Sequence, residues 1–309
     1  MTQNIFMTGA SGCVGHYVFR RLIADSQYHL HLLVRNPKKL QFDPDAYPNL
    51  TVHQGDLGQI ENYKEVLKTI DQVIHLAAAW GGGNTPFEIN LDASLKLFQL
   101  LEDSRCHRIL YFSTASILND RHQPMPEAGK LGSDYIRSKY VCHEKLPDLK
   151  VYDKIITLYP TVIFGGDKEN PYTPVSLGIP EVARWVKIAR FLRVDGSLHF
   201  IHAHDIAMVV QHIVEHGSSE KNIVLGNPNI TAEEVIREFA DYLGYKIPFT
   251  INLSPPLVQL IIKVFNIQID PFERFQMETR HLRYNATNPE TLGIDSKYST
   301  LKGILSDYI

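Results

Sequence analysis

Thr8-Gly9-Ala10-Ser11-Gly12-Cys13-Val14-Gly15 follows the apolar run Asn4-Ile5-Phe6-Met7 without a break, and this junction decides the fold. The apolar run reads as a short buried strand. Val14, Val18 and Leu22 then recur at i, i+4 and i+8, the spacing of one helix face. The glycines therefore fall at a strand-to-helix turn. Without Cβ atoms the backbone can approach a pyrophosphate there, and the unpaired N–H groups of the helix N-terminus offer it a partly positive cradle. The same spacing would also suit a tight turn that needs positive φ, so its weight depends on what lies downstream.

Downstream lies Tyr135-Ile136-Arg137-Ser138-Lys139. Residues four apart on a helix share a face, so the Lys139 ammonium can approach the Tyr135 phenol. A free tyrosine has a pKa of about 10, and a neighbouring cation lowers it by favouring the phenolate, which would suit Tyr135 to proton exchange near neutrality. Some twenty residues earlier, Leu110-Tyr111-Phe112-Ser113-Thr114-Ala115-Ser116 is an apolar strand ending in hydroxyls. The C-terminal ends of strands are where open α/β sheets bind their ligands.

With these segments in place, the chain resembles the extended short-chain dehydrogenase/reductases. That group includes sugar-nucleotide epimerases and dehydratases, dihydroflavonol reductase-like enzymes and 3β-hydroxysteroid dehydrogenase-like enzymes. The resemblance covers nearly the whole chain. Besides TGxxGxxG and YxxxK it takes in Gly55-Asp56-Leu57, His75-Leu76-Ala77-Ala78-Ala79, Asn90, Tyr159-Pro160-Thr161-Val162-Ile163-Phe164-Gly165, Phe200 to Ala207, and Leu225 to Thr231 with a helix cap at Thr231. It implies an α/β fold: a Rossmann-type doubly wound parallel sheet with a smaller C-terminal substrate lobe. The expected division is 1–165 for the NAD(P)-binding domain, rejoined by about 198–225, and 166–309 mainly for the substrate lobe.

Residue roles follow from the same resemblance. Thr114 would hydrogen-bond the substrate oxygen, Tyr135 would act as general acid or base, and Lys139 would bind the nicotinamide ribose and lower the tyrosine pKa. Ser113 would be structural, with Ser116 a lesser candidate. Gly9, Ser11, Gly12, Cys13, Val14 and Gly15 would cradle the dinucleotide, Asp56 and Leu57 would lie at the adenine, and Ala77 would add a contact. Pro160 and Ile163 would flank the nicotinamide carboxamide through their backbones. Asn90 resembles the family's structural asparagine, although Ala93 stands where a glycine is usual. Tyr159 replaces a common arginine, and Ile117-Leu118-Asn119 replaces Val-Tyr-Gly. No Asp-Glu pair follows Thr114, which disfavours a sugar-nucleotide 4,6-dehydratase. His202-x-His204 sits in a structural turn of the family pattern, so no metal is expected.

Cofactor choice turns on the end of the second strand. A carboxylate about twenty residues past the glycines would bind a ribose 2′-hydroxyl, but that place holds Arg35. A guanidinium can fork onto a 2′-phosphate, and Lys38 or Lys39 could add charge, so NADP is expected ahead of NAD. The lysines fit a solvated turn equally well.

Composition sets the outer bounds. With 309 residues, 44% of them hydrophobic, the chain can bury a large core. A net charge of −3 without a basic stripe argues against a nucleic-acid partner. Cys13, Cys106 and Cys142 lack metal-ligand spacing and cannot all pair, which points to a reducing compartment and a cytoplasmic location. A strand beginning almost at Met1 predicts no signal peptide. Pro255–Ile267 is apolar but too short to span a bilayer and reads as a buried helix of the substrate lobe. Strand-like runs at 30–34, 50–53, 72–76, 108–112 and 154–158 alternate with helical ones, the rhythm of a parallel sheet. After Gly165 three prolines, Pro171, Pro174 and Pro180, read as interruptions before an amphipathic run over 182–192. The helices expected over 89–101 and 135–146 carry apolar residues on more than one face, including Leu95, Phe98, Val141 and Cys142, which predicts a homodimer. Three functions remain open: an NADP-dependent oxidoreductase acting on a small-molecule substrate, a nucleotide-sugar epimerase that keeps its cofactor bound, and a dinucleotide-sensing protein without turnover. Arg193, Arg274, Arg280 and Arg283 could clamp the diphosphate that an epimerase would need.

Overall fold

A computed structural model describes residues 2–253 and 268–309. Seven parallel strands make the central sheet: β1 (Gln3–Thr8), β2 (Tyr28–Val34), β3 (Leu50–Gln54), β4 (Gln72–His75), β5 (Arg108–Phe112), β6 (Ile155–Pro160) and β7 (Asn222–Leu225), in the order β7-β6-β5-β4-β1-β2-β3. Ile5 of β1 pairs with Leu30 on one side and Gln72 on the other. The chain builds outward from β1 to β3, then crosses back to place β4 on the other side. This reversal opens a crevice beyond the C-terminal ends of β1 and β4, the usual ligand position in such sheets. The glycine turn and the Ala77 segment emerge side by side there, because Thr8 is in register with His75.

The strands are apolar along their length because both sheet faces are covered. On one face, helix α1 (Cys13–Ile23) buries Val18 and Leu22 completely against the sheet, as its spacing predicts, with Val14 partly buried beside them. The later helix Ala203–His216 packs against α1 and closes that layer. The opposite face is covered by the segment 88–99 and by helix α2 (Asp134–Lys145), which brings Tyr135 to the crevice. Phe98 and Cys142, expected at a dimer seam, are instead buried in this core; only Leu95 and Val141 remain partly exposed.

Beyond Gly165, the helices Pro174–Ala189, Ala232–Tyr242 and Leu301–Leu305 enclose a further cluster that includes Ile179, Val186, Phe239 and Ile304. Two of the three prolines do not interrupt this region. Pro174 occupies the first turn of its helix, where an N–H would lack an intrahelical partner anyway, and the helix continues through Pro180 because burial of Ile179 and Val186 outweighs one lost backbone bond. The run expected over 182–192 is thus the second half of a longer helix that ends at Ala189. Pro255–Ile267 lies outside the described residues. Among the described residues no helix is long and apolar enough to cross a membrane.

Candidate active site

The glycine turn is shaped by two close approaches. Gly9 has φ +79°, and a Cβ there would lie 2.7 Å from the Ala77 nitrogen, so only glycine lets β1 turn against the end of β4. A Cβ on Gly15 would meet the Gly9 carbonyl oxygen at 2.2 Å, so the helix could not seat on the turn. Gly12 differs. Its nearest neighbour would be the Gly9 oxygen at 3.4 Å, an ordinary contact, so nothing in the chain demands glycine there. Gly12 is the exposed N-cap of α1, with no side-chain cap and no acidic residue in the first turn. What it leaves open is space before free N–H groups, which fits a pyrophosphate. Ser11, Cys13 and Val14 border the same turn half-buried; burial pushes the Cys13 thiol up to about 12, so it stays protonated.

Arg35 stands just past β2 with its side chain 79% exposed and its guanidinium 4.0 Å from the Asp56 carboxylate. Asp56 caps the following turn by accepting from the Gly58 N–H at 2.8 Å, and Leu57 is buried beneath it. Lys38 and Lys39 are exposed on a short turn, as solvated residues would be.

A buried relay fixes the floor of the crevice. Thr8 Oγ1 lies 3.2 Å from the Ala77 N–H and 2.7 Å from His75 Nδ1; His75 Nε2 lies 2.8 Å from Ser94 Oγ, which donates to the Ile89 carbonyl. Because the Ser94 proton is committed to Ile89, His75 must donate through Nε2 and accept the Thr8 hydroxyl at Nδ1. Burial, with the Lys139 charge second, holds His75 down at about 3, so the ring is neutral. Asn90 belongs to a π-helical turn, Glu88–Ala93, which aims its side chain back at the loop after β4. Its Oδ1 accepts from the Ala79 N–H at 2.7 Å, and its Nδ2 donates to the Ala79 carbonyl and to Ser138 Oγ. Ser138 in turn donates to the Tyr135 carbonyl, which ties the loop to the tyrosine-bearing helix.

Thr114, Tyr135 and Lys139 converge at the end of β5. Thr114 caps a short turn, its Oγ1 accepting from the Ser116 N–H at 3.2 Å. Lys139 is 1% exposed, donates to the Phe112 carbonyl at 2.8 Å and lies 4.9 Å above the Tyr111 ring. Burial pushes it down to about 8. Tyr135 departs from expectation: burial pushes its pKa well up, and the lesser, opposing influence is the Thr114 hydroxyl, not Lys139. The lysine charge is spent on the strand carbonyl, so desolvation decides. Ser113 Oγ is buried without a partner.

Pro160 is buried at the end of β6, and Ile163, a little further on, packs against the core on the α1 side of the sheet. Tyr159, in place of the usual arginine, is fully buried, and its hydroxyl joins His143 of α2 to Asn222 of β7 at 2.8 and 3.0 Å. His202 stacks on Tyr298 with ring centroids 3.7 Å apart, while His204 contacts buried Asp205; among the described residues no cluster could hold a metal ion. Sequence reasoning passed over Trp80, whose indole stacks on the Tyr135 ring at 3.8 Å. The signal was available: a large aromatic five residues past the end of β4 and directly before three glycines.

The sheet order and glycine turn define an extended short-chain dehydrogenase/reductase. A family model described as NAD dependent epimerase/dehydratase family matches residues 5–226, and the chain belongs to that family of enzymes. It is 23% identical over 279 residues to an N-acetyl-α-D-glucosaminyl-diphospho-ditrans,octacis-undecaprenol 4-epimerase of Escherichia coli O157:H7, covering 84% of this chain and 78% of that one. It is 22% identical over 276 residues to a bifunctional dihydroflavonol 4-reductase/flavanone 4-reductase of Malus domestica, covering 80% and 78%. The Bordetella bronchiseptica enzyme WbmG, solved in complex with NAD, superposes with a TM-score of 0.69 at 14% identity, covering 99% of this chain and 93% of that one.

Proposed function

We propose that this protein is an NADP-dependent oxidoreductase that interconverts a secondary alcohol and a ketone of a small molecule. The observation that carries the reading is the convergence of Thr114, Tyr135 and Lys139 at the end of β5, with Tyr135 packed into a buried apolar cluster that includes Ala115, Ile117, Leu118, Met125 and Phe272. NADP, held by the Gly9–Gly15 turn with Arg35 at its 2′-phosphate, would supply or accept the hydride. The chain's own residues manage the oxygen. Thr114 Oγ1 accepts from the Ser116 N–H, so its hydroxyl proton can be directed to a substrate oxygen shared with Tyr135. Tyr135, held protonated by burial, can pass its Oη proton to that oxygen in the reduction direction. Lys139 keeps a positive charge below about pH 8 behind the pair.

The epimerase reading needs free cations for a diphosphate, and two of the four candidates are engaged. Arg193 pairs with Glu233 at 2.7 Å and Arg280 with Asp195 at 2.8 Å. A panel of ketones and nucleotide sugars, followed by NADPH absorbance and product analysis, tests the proposal. Net consumption of NADPH with a ketone is expected; sugar interconversion without net consumption would transfer the assignment to an epimerase.

A further inference from the structure

Trp80 is 74% exposed, the most exposed large apolar side chain among the described residues, yet it lies at the mouth of the site. Its indole stacks on the Tyr135 phenol with planes 14° apart. Stacking with one neighbour leaves most of the indole in water, so the fold itself gains little from so large an apolar group here. The backbone before it is fixed, since Asn90 binds both the N–H and the carbonyl of Ala79. After it come Gly81, Gly82 and Gly83. Gly81 and Gly83 have φ values of +111° and +82°, and a Cβ on either would meet nothing within 4 Å. Crowding therefore does not require these glycines; they supply a backbone that side-chain-bearing residues rarely adopt and that turns with little resistance. The run is tied down again at Gly83, whose N–H donates to Asp134 Oδ2 at 2.8 Å, one residue before Tyr135. The segment is thus tied down on both sides of the indole, with the three glycines between the ties.

We propose that Trp80 is a specificity-determining residue: it turns off Tyr135 and packs flat on the ring of a cyclic, largely apolar ketone, presenting the ketone oxygen to Thr114 and Tyr135. The proposal rests on the oxidoreductase reading. An open-chain ketone of equal carbon number offers no flat face and gains little from the indole.

The test uses 2-decalone and 2-decanone, which share carbon number and ketone group but differ in having a ring. The chain has two tryptophans, so Trp185→Phe leaves Trp80 as the sole indole reporter; Trp185 lies exposed on the helix Pro174–Ala189, its indole N–H donating to Glu181 of the same helix. With NADP⁺ present, 2-decalone is expected to shift the Trp80 emission saturably. Trp80→Ala should raise KM for 2-decalone by about tenfold, the upper range of an aromatic packing contact, with much smaller change for 2-decanone, and Trp80→Phe should recover most of the loss. Absence of a saturable emission change, or equal KM increases for both ketones, would overturn the proposal. Should the native protein reduce neither ketone, the oxidoreductase reading falls for these substrates, while the emission titration still decides the role of Trp80.

Discussion

Burial moves Tyr135 and Lys139 in opposite senses, the phenol up and the ammonium down to about 8, because each is penalised in its charged form. In the proposed reaction Tyr135 would therefore act as a proton donor. Tyr135→Phe removes only the hydroxyl and should keep the fold and NADPH binding, measured by titration, while turnover falls by roughly a hundred- to ten-thousandfold. Lys139 gives a stability signature as well. Its folded pKa lies below the ordinary value of about 10.4, so between about pH 8 and pH 10 the unfolded chain holds more protons, and this residue's contribution to stability rises with pH across that window. The Arg35 guanidinium is largely exposed with only a distant carboxylate partner, as a 2′-phosphate contact requires. NADPH should bind more tightly than NADH, and Arg35→Ala should narrow the difference by about 1.5–3 kcal/mol, roughly ten- to a hundredfold in the ratio of dissociation constants. Equal affinities in the native protein would refute this.

At the scale of elements, the strand-turn-helix unit separates glycines required by the fold from one left free by it. Gly9→Ala combines positive φ, costing about 1–2 kcal/mol, with a backbone clash against Ala77, and should lower Tm by several degrees. Gly12→Ala meets only the Gly9 oxygen at an ordinary distance, so Tm should hold while NADPH affinity drops. Thermal melts and binding isotherms on the two variants would show the two effects together or apart. Much of this unit is legible in sequence, since the glycine spacing, the strand and the apolar face of α1 are all local. The π-turn at Glu88–Ala93 is not, because its register follows from Asn90 reaching Ala79, a partner eleven residues away. Nor is the helix through Pro180, where tertiary burial overrides the local signal.

Across the whole molecule, neutral buried histidines set the response to acid. His75 and His202 are held at about 3 and about 4, chiefly by burial, so the unfolded chain takes up protons first as the pH falls below the ordinary value of about 6.5. Their contribution to stability is complete above that pH and declines below it. Tm should fall by on the order of ten degrees between about pH 7 and about pH 5, and a flat profile would show that these rings are charged in the fold. Phe98 and Cys142 belong to the subunit core, which narrows the surface open to a second copy. Leu95 and Val141 still leave a seam for a homodimer, expected as twice the chain mass in light scattering at micromolar concentration; a single-chain mass would refute it.

The sequence by itself determined the parallel sheet, the glycine turn and the positions of Thr114, Tyr135 and Lys139, because periodicity, turn chemistry and i, i+4 spacing are written within a few residues. Tertiary structure alone decided the sense of the Tyr135 shift, the engagement of Arg193 and Arg280, and the place of Trp80 above the phenol. Desolvation, ion pairing and stacking depend on which distant segments meet, and no local pattern encodes that meeting.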